Sequence, residues 1–271
     1  MSDEGFAAYE IDTSRPHPAR IYDYWLGGRN NYEVDAAVAE RVCQVWPGVK
    51  RAARLNREFL HRAVRWLAAE AGVRQFLDVG SGIPTEPNLH QVAQQVAADC
   101  RVVYCDHDPI VLRYSEALLR GTPEGRTAYV HGDVREPEGI LRAEALRDTL
   151  DLTRPVALSL NALLHFLPDG ERPQEIVRRL LEPLPSGSYL VLTHATADFS
   201  PELFEQVTRV YQATSEGQLR SREEVLAFFD GLELVPPGLV PSRSWRPESE
   251  VKEARYTDAD CASWVGVARK P

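Results

Sequence analysis

Cysteine is scarce in this chain, with four in 271 residues at positions 43, 100, 105 and 261. None forms a Cys-x-x-Cys pair, so no redox or zinc spacing is visible. Scattered thiols in a chain of this length fit a reducing compartment better than a disulfide framework, and the cytoplasm is the expected location. No cluster of His, Cys, Asp and Glu has ligand spacing, so no metal is expected. No apolar run approaches the roughly 18 residues that a membrane span needs. The opening Met1–Asp12 lacks the basic-then-apolar order of a signal peptide and reads as a frayed start. An excess of cations is missing too: the formal net charge is −9, which argues against broad phosphate-backbone binding and hence against a nucleic-acid partner. Internal repeats and low-complexity tracts are absent.

What is present is an alternation of apolar β-like runs with helical patterns from Arg74 onward. Phe76–Val79 precedes a pattern in Leu89, Val92, Ala93, Val96 and Ala97. Val102–Cys105 precedes Asp108-Pro109, a cap and first-turn pair, and a second helical pattern. Thr127–Val130 leads to Ile140–Leu150, Val156–Leu160 to Glu171–Leu181, and Tyr189–Thr193 to a helix opening at Ser200-Pro201. Five such units imply crossover connections and a mostly parallel, doubly wound α/β sheet covered on both faces. The tail departs from this rhythm. A capping box at Ser221 and Glu224 starts a helix ending near Gly231. Strands at Leu232–Val235 and Ala262–Ala268 then close the chain without a helix between them, suggesting an antiparallel pair at one edge. The intervening Pro236–Asp260 is rich in Pro, Ser, Arg and Glu. Ahead of the sheet, residues 1–72 read as a helical extension, with Val34–Val45 and Asn56–Ala71 carrying helical spacing. The sheet domain spans residues 73–271. Lys50, Arg51, Arg54, Arg57, Arg62 and Arg65 read as a solvated helix face.

The chemistry gathers at the expected strand ends. Asp78-Val-Gly80-Ser81-Gly82 follows the first strand, and glycines there permit a tight turn or the close approach of a ligand to the backbone. The dinucleotide fingerprint needs a small third residue for helix packing, and Thr85, after Pro84, stands at that position. A plain turn is the alternative. Asp106, 26 residues after Gly80 and followed by His107, stands where an acid accepts hydrogen bonds from ribose hydroxyls; Asp108 reads as a helix cap. Asp133 could accept an adenine amine while Val134 packs on the ring, or could be a turn aspartate bonding its own backbone. Asn161 could bond a polar end of the ligand. His165, four residues further on, is a candidate base of near-neutral pKa, or a satisfied semi-buried histidine. Upstream, Tyr22, Trp25, Asn30 and Asn31 bring aromatics and amides together, as a pocket wall does; the alternative is that the aromatics pin the arm to the sheet. Arg20 and Asp23 have the spacing of an i,i+3 ion pair.

Together, Asp78-x-Gly80-x-Gly82, Asp106, Asp133 and the non-helical final strands resemble class I S-adenosylmethionine-dependent methyltransferases, from about Val73 to Ala268. Pro84 replaces a glycine common in their first motif. A narrower resemblance, carried by Ala19-Arg-Ile-Tyr22-Asp-Tyr-Trp25-Leu-Gly-Gly28-Arg-Asn30-Asn31-Tyr and Phe76–Thr85, is to a bacterial S-adenosyl methyltransferase family that began as a domain of unknown function. The resemblance implies a Rossmann-like seven-stranded sheet and a methyl donor, S-adenosylmethionine, converted to S-adenosylhomocysteine. Asp78, Gly80, Ser81, Gly82, Asp106, His107, Asp133, Val134 and Asn161 are then expected to hold it. Tyr22 and His165 become catalytic candidates, with Tyr22, Trp25, Asn30 and Asn31 facing a small-molecule acceptor, and the N-terminal helices form a lid. A non-catalytic binding module for the same ligand and an NAD(P)-dependent oxidoreductase are the rival expectations.

Overall fold

A computed structural model describes residues 12–118, 121–211, 217–249 and 256–271. The expected frayed start, except Asp12, lies outside the described residues. Three helices come first: α1 (Pro18–Leu26), α2 (Glu33–Val45) and α3 (Val49–Ala69). Pro18 suits the first position of α1, where no N–H is needed, and Gly27, at φ +87°, ends it. Asp35 ties the first two helices together. Its carboxylate is fully buried, accepts the His17 and Tyr32 amides at 2.8 Å each, and lies 3.3 Å from Arg20 Nε. Arg20 therefore pairs with Asp35, not with Asp23 as helical spacing suggested, because α1 and α2 pack side by side and bury that face.

The sheet elements follow in alternation: β1 (Gln75–Val79), α4 (Leu89–Val96), β2 (Arg101–Asp106), α5 (Pro109–Leu118), β3 (Arg126–His131), α6 (Pro137–Arg142), α7 (Glu144–Thr149), β4 (Ala157–Asn161), α8 (Pro173–Leu181), β5 (Tyr189–Ala195), α9 (Pro201–Tyr211), α10 (Arg222–Leu226), β6 (Glu233–Leu234), β7 (Val240–Pro241) and β8 (Ser263–Arg269). Strand order is β3-β2-β1-β4-β5-β8-β6, with β7 also on β8. The first five strands are parallel. β8 runs antiparallel between β5 and β6, which makes the sheet mostly parallel with an antiparallel close. The two-residue β7 is an eighth strand beyond the seven implied by resemblance. It forms because part of the Pro236–Asp260 excursion lies back along β8.

Alternation along each strand sends residues to two cores. Leu77, Val103, Leu158 and Leu190 face α6–α8. Phe76, Val102, Val191 and Val265 face α3, whose Phe59, Leu60, Ala63, Val64 and Leu67 are all at least 97% buried. β1 is buried at every position, as a central parallel strand must be. One helix starts where its pattern placed it, and one local expectation changes. No helix starts directly after the glycine turn: Pro84 and Pro87 keep their preceding residues out of helical geometry, and α4 waits until Leu89, capped at Asn88 by Gln91. Ile140–Leu150 is not one helix, because the chain breaks at Ala143. The order reverses between β1 and β4, so their carboxyl ends open the crevice in which ligands of such sheets sit. Among the described residues no helix is long and apolar enough to cross a membrane.

Candidate active site

At the end of β1 the chain turns sharply. The amides of Gly80 and Ser81 both donate to Cys105 O, at 2.8 and 3.2 Å, and Gly80 and Gly82 take φ of +72° and +65°. The two glycines serve different needs. A Cβ on Gly80 would stand 2.7 Å from Leu163 Cδ1, so its bareness makes room for the β4 tip, whereas nothing lies within 4 Å of a Cβ on Gly82. The Gly82 amide donates to Asp106 Oδ2 at 2.8 Å, and the Asp108 amide to Asp106 Oδ1 at 3.0 Å. Asp108 caps α5 through the Ile110 amide at 2.9 Å, as its position suggested, and also approaches His17 Nδ1 at 3.1 Å, tying α1 to the tip of β2.

A relay of hydrogen bonds crosses from β4 to β1. Asn161 Nδ2 donates to Ser159 Oγ, which donates to Asp78 Oδ1 at 2.6 Å. Burial pushes the Asp78 pKa up to about 6, with Ser159 and the Arg57 charge opposing and Asp106 adding to the rise. Beyond Asn161, Ala162 is held at φ +50°, an uncommon geometry for a residue with a Cβ, and its amide donates to Thr193 Oγ1 at 2.8 Å. This turn delivers the segment carrying His165.

These tips, the helical segment and α9 enclose a cavity of about 550 Å³, within the usual range for small-ligand sites. Every residue expected to hold the methyl donor lines it, as do Tyr22, Trp25 and His165. Asp133 lines it half-buried, and its carboxylate accepts the Arg135 amide at 2.9 Å and the Arg135 guanidinium at 3.3 Å. That is the turn-aspartate geometry, reinforced by Arg135 bridging to Glu171 at 2.7 Å.

Asn30 and Asn31 do not reach the cavity. The Asn30 amide and Asn31 Nδ2 donate to Asp23 Oδ2 at 2.9 and 2.8 Å, and a Cβ on Gly28 would overlap the same carboxylate. Asp23 is 3% exposed and its pKa is raised by burial. The adjacent glycines and asparagines thus wrap a buried acid whose lone pairs need donors. Tyr22 lines the cavity with its ring, but its hydroxyl donates to Ala53 O at 3.1 Å and accepts from Asn56 Nδ2 at 3.0 Å, so its proton is engaged on α3.

His165 departs from the near-neutral pKa expected of it. Burial, then the neighbouring His194 and Arg220, push it down to about 3, and its Nδ1 has no hydrogen-bond partner. His194 and Arg220 carried no sequence signal. The basic residues of α3 are not one solvated face. Arg62 is 9% exposed and donates to Trp245 O and Ser242 O at 2.9 and 2.6 Å, because the excursion after β6 packs on it. Arg57 lines the cavity, donating to Thr85 O at 2.6 Å while its buried Nε has no partner. The helical stripe Ala53, Asn56, Arg57 and Leu60 was the signal for it, since all four line the cavity.

A family model described as S-adenosyl methyltransferase matches residues 4–271. The chain is similar to a DUF574 family protein of Streptomyces avermitilis, at 51% identity over 96% of this chain and 100% of that one, with a TM-score of 0.94. It is also similar to a Thermobifida fusca protein provisionally described as a methyltransferase, at 39% identity over 97% and 99% of the two chains, TM-score 0.88. An O-methyltransferase family protein of Burkholderia thailandensis shares the fold at 14% identity, covering 92% of this chain and 63% of that one, TM-score 0.54. No functionally curated protein matches the sequence.

Proposed function

The chain belongs to the S-adenosyl methyltransferase family, and from that membership we propose that its cavity transfers a methyl group to a small-molecule acceptor. It is an S-adenosylmethionine-dependent methyltransferase by family and fold, and its cofactor is S-adenosylmethionine. The observation that carries the assignment of this cavity is a set of buried polar atoms without partners in the protein. Ser81 Oγ, Asn161 Oδ1 and Arg57 Nε are all of this kind, and all belong to residues on the cavity lining. Buried polar groups are normally paired, so these are the places where a polar ligand would complete the structure. The chemistry of the donor set fits: Asp106 for ribose hydroxyls, Val134 for the adenine ring with Asp133 offering it the lone pairs left over from its own turn, Ser81 and Gly82 at the turn, and Arg57 with Asn161 for the amino-acid end.

When bound, the donor supplies an activated methyl group on a sulfonium. The protein's share is to align acceptor and donor and to exclude water. Helices α1–α3, held by His17 against Asp108 and by Arg57 against the loop after β1, form the lid that does so. The four free cysteines support action in the cytoplasm, and the net charge of −9 supports an acceptor other than nucleic acid.

Isothermal titration tests the reading. S-adenosylhomocysteine is expected to bind at micromolar concentration and NADH not at all. Release of S-adenosylhomocysteine from S-adenosylmethionine in the presence of metabolite extracts then separates an enzyme from a binding module; no release with any extract overturns the catalytic reading.

A further inference from the structure

The two ends of the cavity differ in chemistry. Carboxylates and small polar groups line the tips of β1–β3. Trp25, Leu26, Phe166, Phe204, Val207 and Tyr211 wall the end reached from β4, β5 and the helices. Their rings run in series with His165: Trp25 to Tyr211 at 6.1 Å, Tyr211 to Phe166 at 6.3 Å, and Phe166 to His165 at 4.3 Å. Among the described residues no lysine lines the cavity. Of its two arginines, Arg57 is given to the donor's amino-acid end and Arg135 is held between Asp133 and Glu171. Asp23 is occupied by the Asn30–Asn31 loop.

The geometry points to an acceptor that is uncharged, flat and apolar, and that presents a hydroxyl to His165: an aromatic alcohol. This inference rests on the methyl-transfer reading above. A carboxylate or phosphate entering the apolar end would lose its hydration with no cation to replace it. A basic amine, which arrives as an ammonium, fails at His165, whose imidazole is held neutral by burial and by the neighbouring His194 and Arg220. Such a ring cannot take the proton that an ammonium must lose before it has a lone pair to offer. It can accept a hydrogen bond from a hydroxyl. As the hydroxyl oxygen bonds to the methyl carbon, the S–CH3 bond breaks and its electron pair leaves with sulfur as the thioether. The oxygen becomes strongly acidic as that bond forms, so even a weak base receives its proton, which then passes to water.

The test titrates the full chain, saturated with S-adenosylhomocysteine, with four probes of one shape: naphthol, naphthalene, naphthoate and naphthylmethylammonium. Naphthol is expected to bind at least about tenfold tighter than either ion. His165→Leu is expected to erase the preference for naphthol over naphthalene, an effect that a merely structural role would not produce. Val207→Lys, which places an ammonium on the α9 wall, is expected to turn the preference to naphthoate while donor-product affinity stays within about threefold. Equal or tighter binding of either ion by the unaltered protein, or no binding of naphthol, overturns the inference, as does a Val207→Lys protein that still favours naphthol. Failure to bind S-adenosylhomocysteine itself would instead sink the methyl-transfer reading, so the two failures are told apart.

Discussion

Arg220 Nη1 donates to His194 Nε2 at 2.9 Å, with the two side chains 2% and 0% exposed. The bond fixes the tautomer, since His194 Nδ1 must then carry the proton given to Ala195 O at 2.8 Å. The same guanidinium donates to Leu164 O and Leu167 O at 3.1 and 2.8 Å and to Asp169 Oδ1 at 2.7 Å. One cation thus clamps the tip of β5 to the segment that carries His165.

Replacing it should loosen that segment. In Arg220→Met, two carbonyls and a histidine nitrogen lose their donor in a buried setting, at a cost of about 3 kcal/mol or more. Urea unfolding measures this. Removing the charge also relieves a force that depresses both histidines, so NMR titration should find the pKa of His165 raised; no upward movement would refute the electrostatic role.

Stability should depend on pH through His194. Burial, opposed by its bond to Ala195, lowers its pKa from 6.5 to about 4. Between those values the unfolded chain binds more protons than the native one, so stability falls as pH drops from about 6.5 to 4. The contribution of this buried ring is roughly 3 kcal/mol. His165 and His61, lowered to about 3 and about 4, act in the same direction. Melting temperatures of His194→Gln across this window should slope less steeply than those of the parent.

Asp78 has the opposite sign. Its folded pKa of about 6 lies above the ordinary 3.8, so the native state binds more protons between these values, and stability is lost as pH rises through 6. Asp78→Asn removes that cost, roughly 3 kcal/mol at pH 7.5, and is expected to melt higher there while binding S-adenosylhomocysteine more weakly. A variant that gains affinity would contradict the place given to Asp78 at the donor.

Arg57 should matter most for the amino-acid end of the donor. Losing one charge-assisted hydrogen bond costs about 1.5–3 kcal/mol, so Arg57→Met is expected to weaken S-adenosylhomocysteine binding by about tenfold or more. Calorimetry on adenosine, which lacks the amino-acid end, provides the control: its affinity should fall far less.

Local order in the chain was enough to determine the alternation of strands and helices, the tight turn after Asp78, and the placing of Asp106 and Asp133 at strand tips. Each follows from periodicity, caps and turns within a few residues. Tertiary structure alone decided the rest. Arg62 meets the Trp245 carbonyl across 183 residues, and Arg220 meets Leu164 across 56; no periodic pattern encodes such pairings. The amides of Asn30 and Asn31 turned to Asp23 rather than to a ligand, because a carboxylate buried inside the helical segment takes whichever donors lie nearest. Burial likewise set the basicity of His165, because the charge on a ring depends on the dielectric and the cations around it, which exist only once the chain has closed on itself.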